Sequence, residues 1–325
     1  MKQIDTIIIG AGPCGLSAAI ELHKQDMEYL VIEKGNVVEA IYNYPTHQTF
    51  FSSSEKLSIG DFPFITEQHK PHRNQALVYY REAVKHFNLK INTYEEVTSG
   101  RKSGEQFILE TSKGQYACNH LIVATGYYGQ PNHLDVPGEG KEKVFHYFKE
   151  AHPFFNQKVL VIGGKNSSVD AAIELEKAGA DVTVVYRRGA YSKSVKPWIL
   201  PQFDSLVKND KIDMHFSTEV VDIKDQSVVL EKNGETFELP NDFVFAMIGY
   251  HPDYRFLSSF GVELNENEYG TAPNHDPNTM ETNIPNLYIA GVIAAGNDAN
   301  TIFIENGRFH GKIIADEIAK QHSER

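Results

Sequence analysis

Residues 4–15, Ile4-Asp5-Thr6-Ile7-Ile8-Ile9-Gly10-Ala11-Gly12-Pro13-Cys14-Gly15, declare the kind of fold this chain adopts. Ile4–Ile9 is a β-branched run closed by glycine, the pattern of a buried strand. Pro13–Gln25 follows as a helix with Leu16, Ala19, Ile20 and Leu22 along one side, and Tyr29–Ile32 is the next strand. Strand, tight turn, helix and strand in that order begin a parallel α/β sheet. The turn has the Gly-x-Gly-x-x-Gly pattern of a dinucleotide site, and each residue type has a reason. Gly10 permits the tight turn. Gly12 lets the backbone approach a pyrophosphate. Gly15 lets the helix pack close to the sheet. Pro13 and Cys14 stand in the first helical turn, where unpaired N–H groups and the helix dipole favour a phosphate. Glu33 ends the second strand at the spacing of a ribose ligand. Its carboxylate accepts hydrogen bonds from ribose hydroxyls and repels a 2′-phosphate, so the site suits FAD or NAD and not NADPH. We assign Gly10, Gly12, Pro13, Cys14, Gly15, Glu33 and the adjacent Lys34 to FAD.

The same order recurs near the middle of the chain. Lys158–Ile162 is a strand, Ser167–Ala178 a helix and Asp181–Tyr186 a strand. The turn between them is Gly163-Gly164-Lys165-Asn166-Ser167-Ser168, a degraded fingerprint with Lys165 at the second glycine position and Ser168 at the third. Lys165 could crowd a pyrophosphate or add charge to it. Arg187 and Arg188 stand where a ribose-binding acid is expected. Guanidinium forks pair with phosphate oxygens, so this replacement is what the 2′-phosphate of NADPH requires. Lys193 and Lys196 lie just beyond. The competing reading of Arg187 and Arg188 is a solvated surface pair.

Between the two units lie strand-like segments such as Gln106–Thr111 and Leu121–Ala124, the latter ending at Thr125-Gly126. The Gly/Pro-rich stretch from Gly129 to Gly140 is the first crossover between domains. Phe243–Ile248 is a further strand, ending at Gly249, and the second crossover falls there. Asn286–Ala290 with Gly291 is again strand then glycine. Asn297–Glu305 leads into a closing helix from about Thr301 to Lys320, whose N-terminus could face a flavin or be a plain surface feature. The expected fold is α/β: two Rossmann-like three-layer dinucleotide-binding domains, the second inserted into the first. Residues 1–129 and 250–325 form the FAD domain and 130–249 the NADPH domain. Thr125, Gly126, Gly291 and Glu305 complete the FAD site.

With 325 residues, 41% of them hydrophobic, the chain can bury two cores. Its net charge of −12, from 31 Lys and Arg against 43 Asp and Glu, argues against nucleic-acid or anionic-membrane partners. The two cysteines, Cys14 and Cys118, make no disulfide framework. No signal peptide or membrane span is read, which gives a cytoplasmic expectation. Asn166-Ser167-Ser168 matches a glycosylation sequon only by coincidence in such a chain. The 14 histidines are scattered, no Cys/His cluster has zinc spacing, and no metal site is assigned.

An acid in one unit and arginines in the other imply two different dinucleotides, hence an electron-transfer enzyme in which hydride passes from NADPH to a flavin. The chain resembles the two-dinucleotide flavoproteins of the thioredoxin reductase class. The first fingerprint, Val123-Ala124-Thr125-Gly126, the second fingerprint with its Arg pair, and Tyr288-Ile289-Ala290-Gly291 occur in the expected order. It departs from thioredoxin reductase in lacking any cysteine between Gly129 and Gly249, so a dithiol relay is excluded. Gly291-Val292 replaces the usual Gly-Asp, which puts the ribityl contact of that aspartate in doubt.

Over essentially its whole length the chain is similar to the bacillithiol disulfide reductase family. It shares Gly12-Pro13-Cys14-Gly15, the Gly-Gly-Lys-Asn-Ser-Ser variant and Ile304-Glu305-Asn306-Gly307-Arg308. That resemblance implies an NADPH-dependent, FAD-containing reductase of bacillithiol disulfide, a homo-oligomer, with Cys14 as the redox-active residue. On physical grounds alone Cys14 is even: the helix dipole favours a thiolate and the phosphates oppose it. Cysteine could equally replace alanine as a small residue under the cofactor. In the redox reading the Cys14 thiolate attacks the disulfide, and Cys118 is structural. The alternatives are a ferredoxin– or flavodoxin–NADP reductase, a flavin monooxygenase and a non-enzymatic redox sensor. Tyr44-Pro45 and Asp61-Phe62-Pro63 resemble monooxygenase segments, but Val144-Phe145-His146-Tyr147-Phe148 lacks that class's hallmark.

Overall fold

A computed structural model describes residues 1–298 and 301–323. The chain divides into two compact units: residues 1–42, 48–130 and 251–325 form the first, and residues 43–47 and 131–250 the second.

In the first unit, five parallel strands run in the order Leu287–Ile289, His120–Val123, Thr6–Ile9, Tyr29–Ile32, Ile91–Asn92. Ile9 pairs with both Ile32 and Val123, so the segments after these strands emerge together at one edge of the sheet. The Ile7-Ile8 run is fully buried because the sheet is covered on both faces. Leu16, Ala19, Ile20 and Leu22 are all fully buried along the Pro13–Lys24 helix. That helix packs on the closing helix at Gly311, where a Cβ would lie 2.5 Å from the Ala18 nitrogen. A four-stranded sheet of Lys2–Gln3, Gly114–Cys118, Gln106–Thr111 and Val97–Ser103 completes the unit.

The second unit has five parallel strands in the order Ile212–Phe216, Asp181–Tyr186, Lys158–Ile162, Phe243–Ala246, Val144–Phe145. Alternation along the Lys158–Ile162 strand explains its unbroken apolar sequence. Val159 and Val161 join a core with Val169, Leu175 and Phe203 from the helices. Leu160 and Ile162 face the other way, onto Val220, Val228 and Leu230 of a three-stranded antiparallel meander.

Two expectations are corrected. Asn43–His47 was expected in the first unit but belongs to the second, where His47 Nε2 pairs with an Asp170 carboxylate oxygen at 2.9 Å. The single closing helix expected from Thr301 to Lys320 is two helices, Ile304–Gly307 and His310–Ser323. The Phe303 N–H is capped by the Asn306 side chain at 2.7 Å, which favours a separate short turn. In the Asn297–Glu305 lead-in, Ala299 and Asn300 lie outside the described residues.

Candidate functional site

The loop after the first strand is shaped by contacts only glycine permits. Gly10 has φ +107, and a Cβ there would lie 2.6 Å from the Ala124 carbonyl oxygen. At Gly15 a Cβ would lie 2.0 Å from the Gly10 carbonyl oxygen. Gly12 differs: a Cβ would meet nothing within 4 Å. Its backbone therefore faces open space, the cradle a pyrophosphate requires. Cys14 and Gly15 stand in the first helical turn, where backbone N–H groups have no intrahelical acceptor.

Glu33 is buried, and its two carboxylate oxygens accept the Ala11 N–H at 2.7 Å and the Gly35 N–H at 2.8 Å. Burial raises its pKa, and these two amides oppose the rise. The acid expected to serve only a ribose thus also ties the glycine loop to the next strand. Each oxygen retains a lone pair for a hydroxyl. Lys34 and Thr125 are exposed, Gly126 is half-buried with φ +68, and all three lie beyond the sheet edge that carries the Gly10 turn. Lys34 Nζ reaches within 3.2 Å of the Cβ position of Gly129.

The C-terminal segment packs against Cys14, which is half-buried. A Cβ on Gly291 would lie 2.9 Å from its sulfur, and one on Gly307 would lie 3.1 Å from it. Gly291 donates its N–H to His310 Nδ1 at 3.2 Å. Burial, with a smaller contribution from His275, holds His310 neutral with a pKa of about 4. Burial also pushes the Cys14 thiol up to about 12. Cys118 is buried on its strand and pushed to about 12 as well, in keeping with a structural role. The Glu305 carboxylate accepts the Ser52 hydroxyl at 2.7 Å, so its side chain is used within the protein. The helix at Glu305 spans four residues, too short for the substantial dipole expected from one long helix.

In the second unit, Gly163 has φ +138, and a Cβ there would lie 2.5 Å from the Met247 carbonyl oxygen. A Cβ on Gly164 would strike the Tyr186 ring at 2.4 Å. Ser168, expected to face the cofactor, is fully buried. It accepts the Lys165 N–H at 3.0 Å and donates to the Lys165 carbonyl at 2.9 Å, capping the helix. Asn166 bonds the Ser194 carbonyl and the Lys196 N–H, each at 2.9 Å, and so fastens the following loop over the turn. Lys165, Ser167, Arg187, Arg188 and Lys193 are exposed on these two adjoining segments. Sequence reasoning missed His310 and the Ser168 cap. The Ser at the third glycine position, three residues after Lys165, was a readable capping signal.

Residues 7–291 match the pyridine nucleotide-disulphide oxidoreductase family model, and the chain belongs to that family. Its fold is that of the thioredoxin-reductase-like flavoproteins, and it is a flavin-dependent disulfide oxidoreductase using FAD and NADPH. It is 59% identical over 99% of its length to bacilliredoxin reductase of Bacillus subtilis (strain 168), all of which is covered. It is similar to the solved bacillithiol disulfide reductase from Staphylococcus aureus, at 63% identity and TM-score 0.96, covering 99% of each chain. Thioredoxin reductase of T. acidophilum shares the fold at 22% identity and TM-score 0.78, covering 99% of this chain and all of that one. The open cradle at Gly12 and the buried Glu33 fit FAD, and the exposed arginines beside the Gly163 turn fit a 2′-phosphate.

Proposed function

We propose that this protein reduces bacillithiol disulfide with NADPH, holding FAD in the first unit and NADPH in the second. The observation that carries the reading is the contrast between the two turns. One ends at a buried acid, Glu33, and the other at two exposed guanidinium groups, Arg187 and Arg188. The names of the Staphylococcus aureus and Bacillus subtilis relatives support the substrate. When bound, the two cofactors supply hydride transfer. In sum, NADPH, a proton and one disulfide give NADP⁺ and two thiols.

The chain's residues bind and orient. Gly10, Gly12, Pro13, Cys14 and Gly15 present backbone to the FAD pyrophosphate, Glu33 takes its ribose, and Lys34, Thr125, Gly126, Gly291 and Glu305 frame the rest. Gly163, Gly164, Lys165, Asn166 and Ser167 border the NADPH phosphates, with Ser168 holding the turn from behind. Cys14 is the proposed redox residue. Its thiol is half-buried beside Gly291 and Gly307 and held protonated by burial, so attack on a disulfide requires that it first be deprotonated. A cytoplasmic location is part of this reading. Among the described residues no helix is long and apolar enough to cross a membrane. A homo-oligomer completes the proposal, to be read by light scattering.

The Bacillus subtilis relative's name favours one second reading, in which the acceptor is a bacilliredoxin protein. Anaerobic NADPH titration followed by a panel of acceptors tests both. Bleaching by NADPH and rapid reoxidation by bacillithiol disulfide are expected. Reoxidation by bacilliredoxin alone, or by ferredoxin, would replace the small-molecule substrate.

A further inference from the structure

We infer that the segment through which the chain enters the second unit carries a divalent-cation site of zinc type, built by His133, Glu139 and His146. His133 Nδ1 lies 3.3 Å from Glu139 Oε1, and His146 Nε2 lies 3.6 Å from the same oxygen. All three ligand atoms lie within 4.8 Å of one another. Tetrahedral zinc, with ligand bonds of about 2.0–2.1 Å, keeps its ligand atoms about 3.3 Å apart. Two of the three edges are therefore already near the length a bound ion imposes. Two imidazole nitrogens and one carboxylate oxygen form a donor set suited to zinc, with the fourth position left for water.

The ligands are held in place by the chain around them. The Leu134 N–H donates to Glu139 Oε1 at 2.8 Å and the Asp135 N–H to Oε2 at 2.9 Å. The Pro137 carbonyl accepts the Ile223 N–H at 3.0 Å. Gly138 has φ +80, and a Cβ there would lie 1.9 Å from the Ile223 carbonyl oxygen. The loop between His133 and Glu139 is thus fastened to the strand Thr218–Ile223. His146 follows the strand Val144–Phe145, and its carbonyl accepts the Tyr250 hydroxyl at 3.2 Å. His146 Nδ1 is buried with no hydrogen-bond partner among the described residues, so the ring's polar contact is made through Nε2. The Glu139 side chain is 12% exposed, whereas that of His133 is 58% exposed and offers the route of entry. Ordered outer contacts of this kind orient metal ligands before the ion arrives. The sequence hides the site because the His133, Glu139, His146 spacing matches no local zinc motif.

The test uses the FAD-loaded full chain, stripped with EDTA and titrated with Zn²⁺ against a chromophoric chelator, with Co²⁺ absorption reporting tetrahedral coordination. A single equivalent is expected to bind in the micromolar range or tighter. His133→Ala, an exposed change compatible with folding, should weaken it by at least about tenfold. His146→Ala should do the same. A second trio, Asp5, His120 and His322, also places its ligand atoms within 4.8 Å. His322→Ala should leave the titration unchanged. Absence of micromolar binding would show a polar cluster of His133, Glu139 and His146 only. Binding that survives His133→Ala, or that is lost in His322→Ala, would likewise overturn the assignment.

Discussion

The Cys14 sulfur occupies the space a side chain on Gly291 would need: the two positions are 2.9 Å apart. Residue 291 also has φ +83, which glycine alone adopts without strain. Gly291→Ala should therefore destabilise the protein by about 1–3 kcal/mol through overpacking, with backbone strain added. Combining it with Cys14→Ala should recover only the sulfur's part of the packing loss, because the Cβ of residue 14, also 2.9 Å away, remains, as does the strain. Urea denaturation of both variants reads the cycle, and a Gly291→Ala protein as stable as wild type would contradict the contact.

The Cys14→Ala variant alone separates binding from chemistry. It should keep FAD and still pass electrons from NADPH to an artificial quinone. Reduction of bacillithiol disulfide should fall by more than about 100-fold if the thiol is the attacking group. Iodoacetamide should alkylate Cys14 slowly in the resting enzyme, because a thiol with a pKa of about 12 offers little thiolate near neutrality. A variant that reduces the disulfide at the wild-type rate removes Cys14 from the reaction.

In the proposed function Arg187 and Arg188 carry the preference for a phosphorylated nicotinamide cofactor. Replacing both with alanine should raise KM for NADPH by about 10–100-fold, the scale of lost charge-assisted hydrogen bonds at about 1.5–3 kcal/mol. KM for NADH should change little. Equal losses for both cofactors would return the pair to the solvated surface.

His310 predicts an acid-sensitive C-terminal segment. Its pKa is lowered from 6.5 to about 4, mainly by burial. Above 6.5 both folded and unfolded chains hold it neutral and it imposes no penalty. As pH falls from 6.5 towards 4 the unfolded chain takes up a proton that the folded one refuses, so stability declines. The ceiling of this loss is about 3 kcal/mol, reached below the folded pKa. His310→Gln should flatten the fall in urea midpoint between pH 7 and 5. An unaltered slope would place the acid sensitivity elsewhere.

The two glycine turns were legible because their demands are local. Gly10 needs a positive φ, Gly15 a close approach, and both lie within a few residues of the strands and helix that create the need. The expectation of two units, one inserted in the other, follows from repetition of the same pattern, whereas the strand order came only from the structure. Contacts between distant parts of the chain were not legible. Nothing near Cys14 announces that Gly291 and Gly307 will approach its sulfur, and nothing near Thr46 announces that His47 will meet Asp170. The break after Gly307 was missed because Phe303 and Asn306 compete locally with the apolar periodicity that suggested one helix. Ser168 stands at the third glycine position of the second fingerprint, which groups it with the cofactor-binding residues, but its hydroxyl holds the Lys165 backbone.

Glu33 bears on how this enzyme could be re-engineered. A carboxylate that bonds the Ala11 and Gly35 amides is part of the loop it serves. Exchanging it to admit a different adenosine dinucleotide would loosen the turn along with the ribose contact. Arg187 and Arg188 project from the end of their strand into solvent and can be varied without reaching the core. Under the proposed assignment of Glu33 to FAD and of Arg187 and Arg188 to NADPH, coenzyme choice is therefore adjustable in the second unit and built into the backbone of the first.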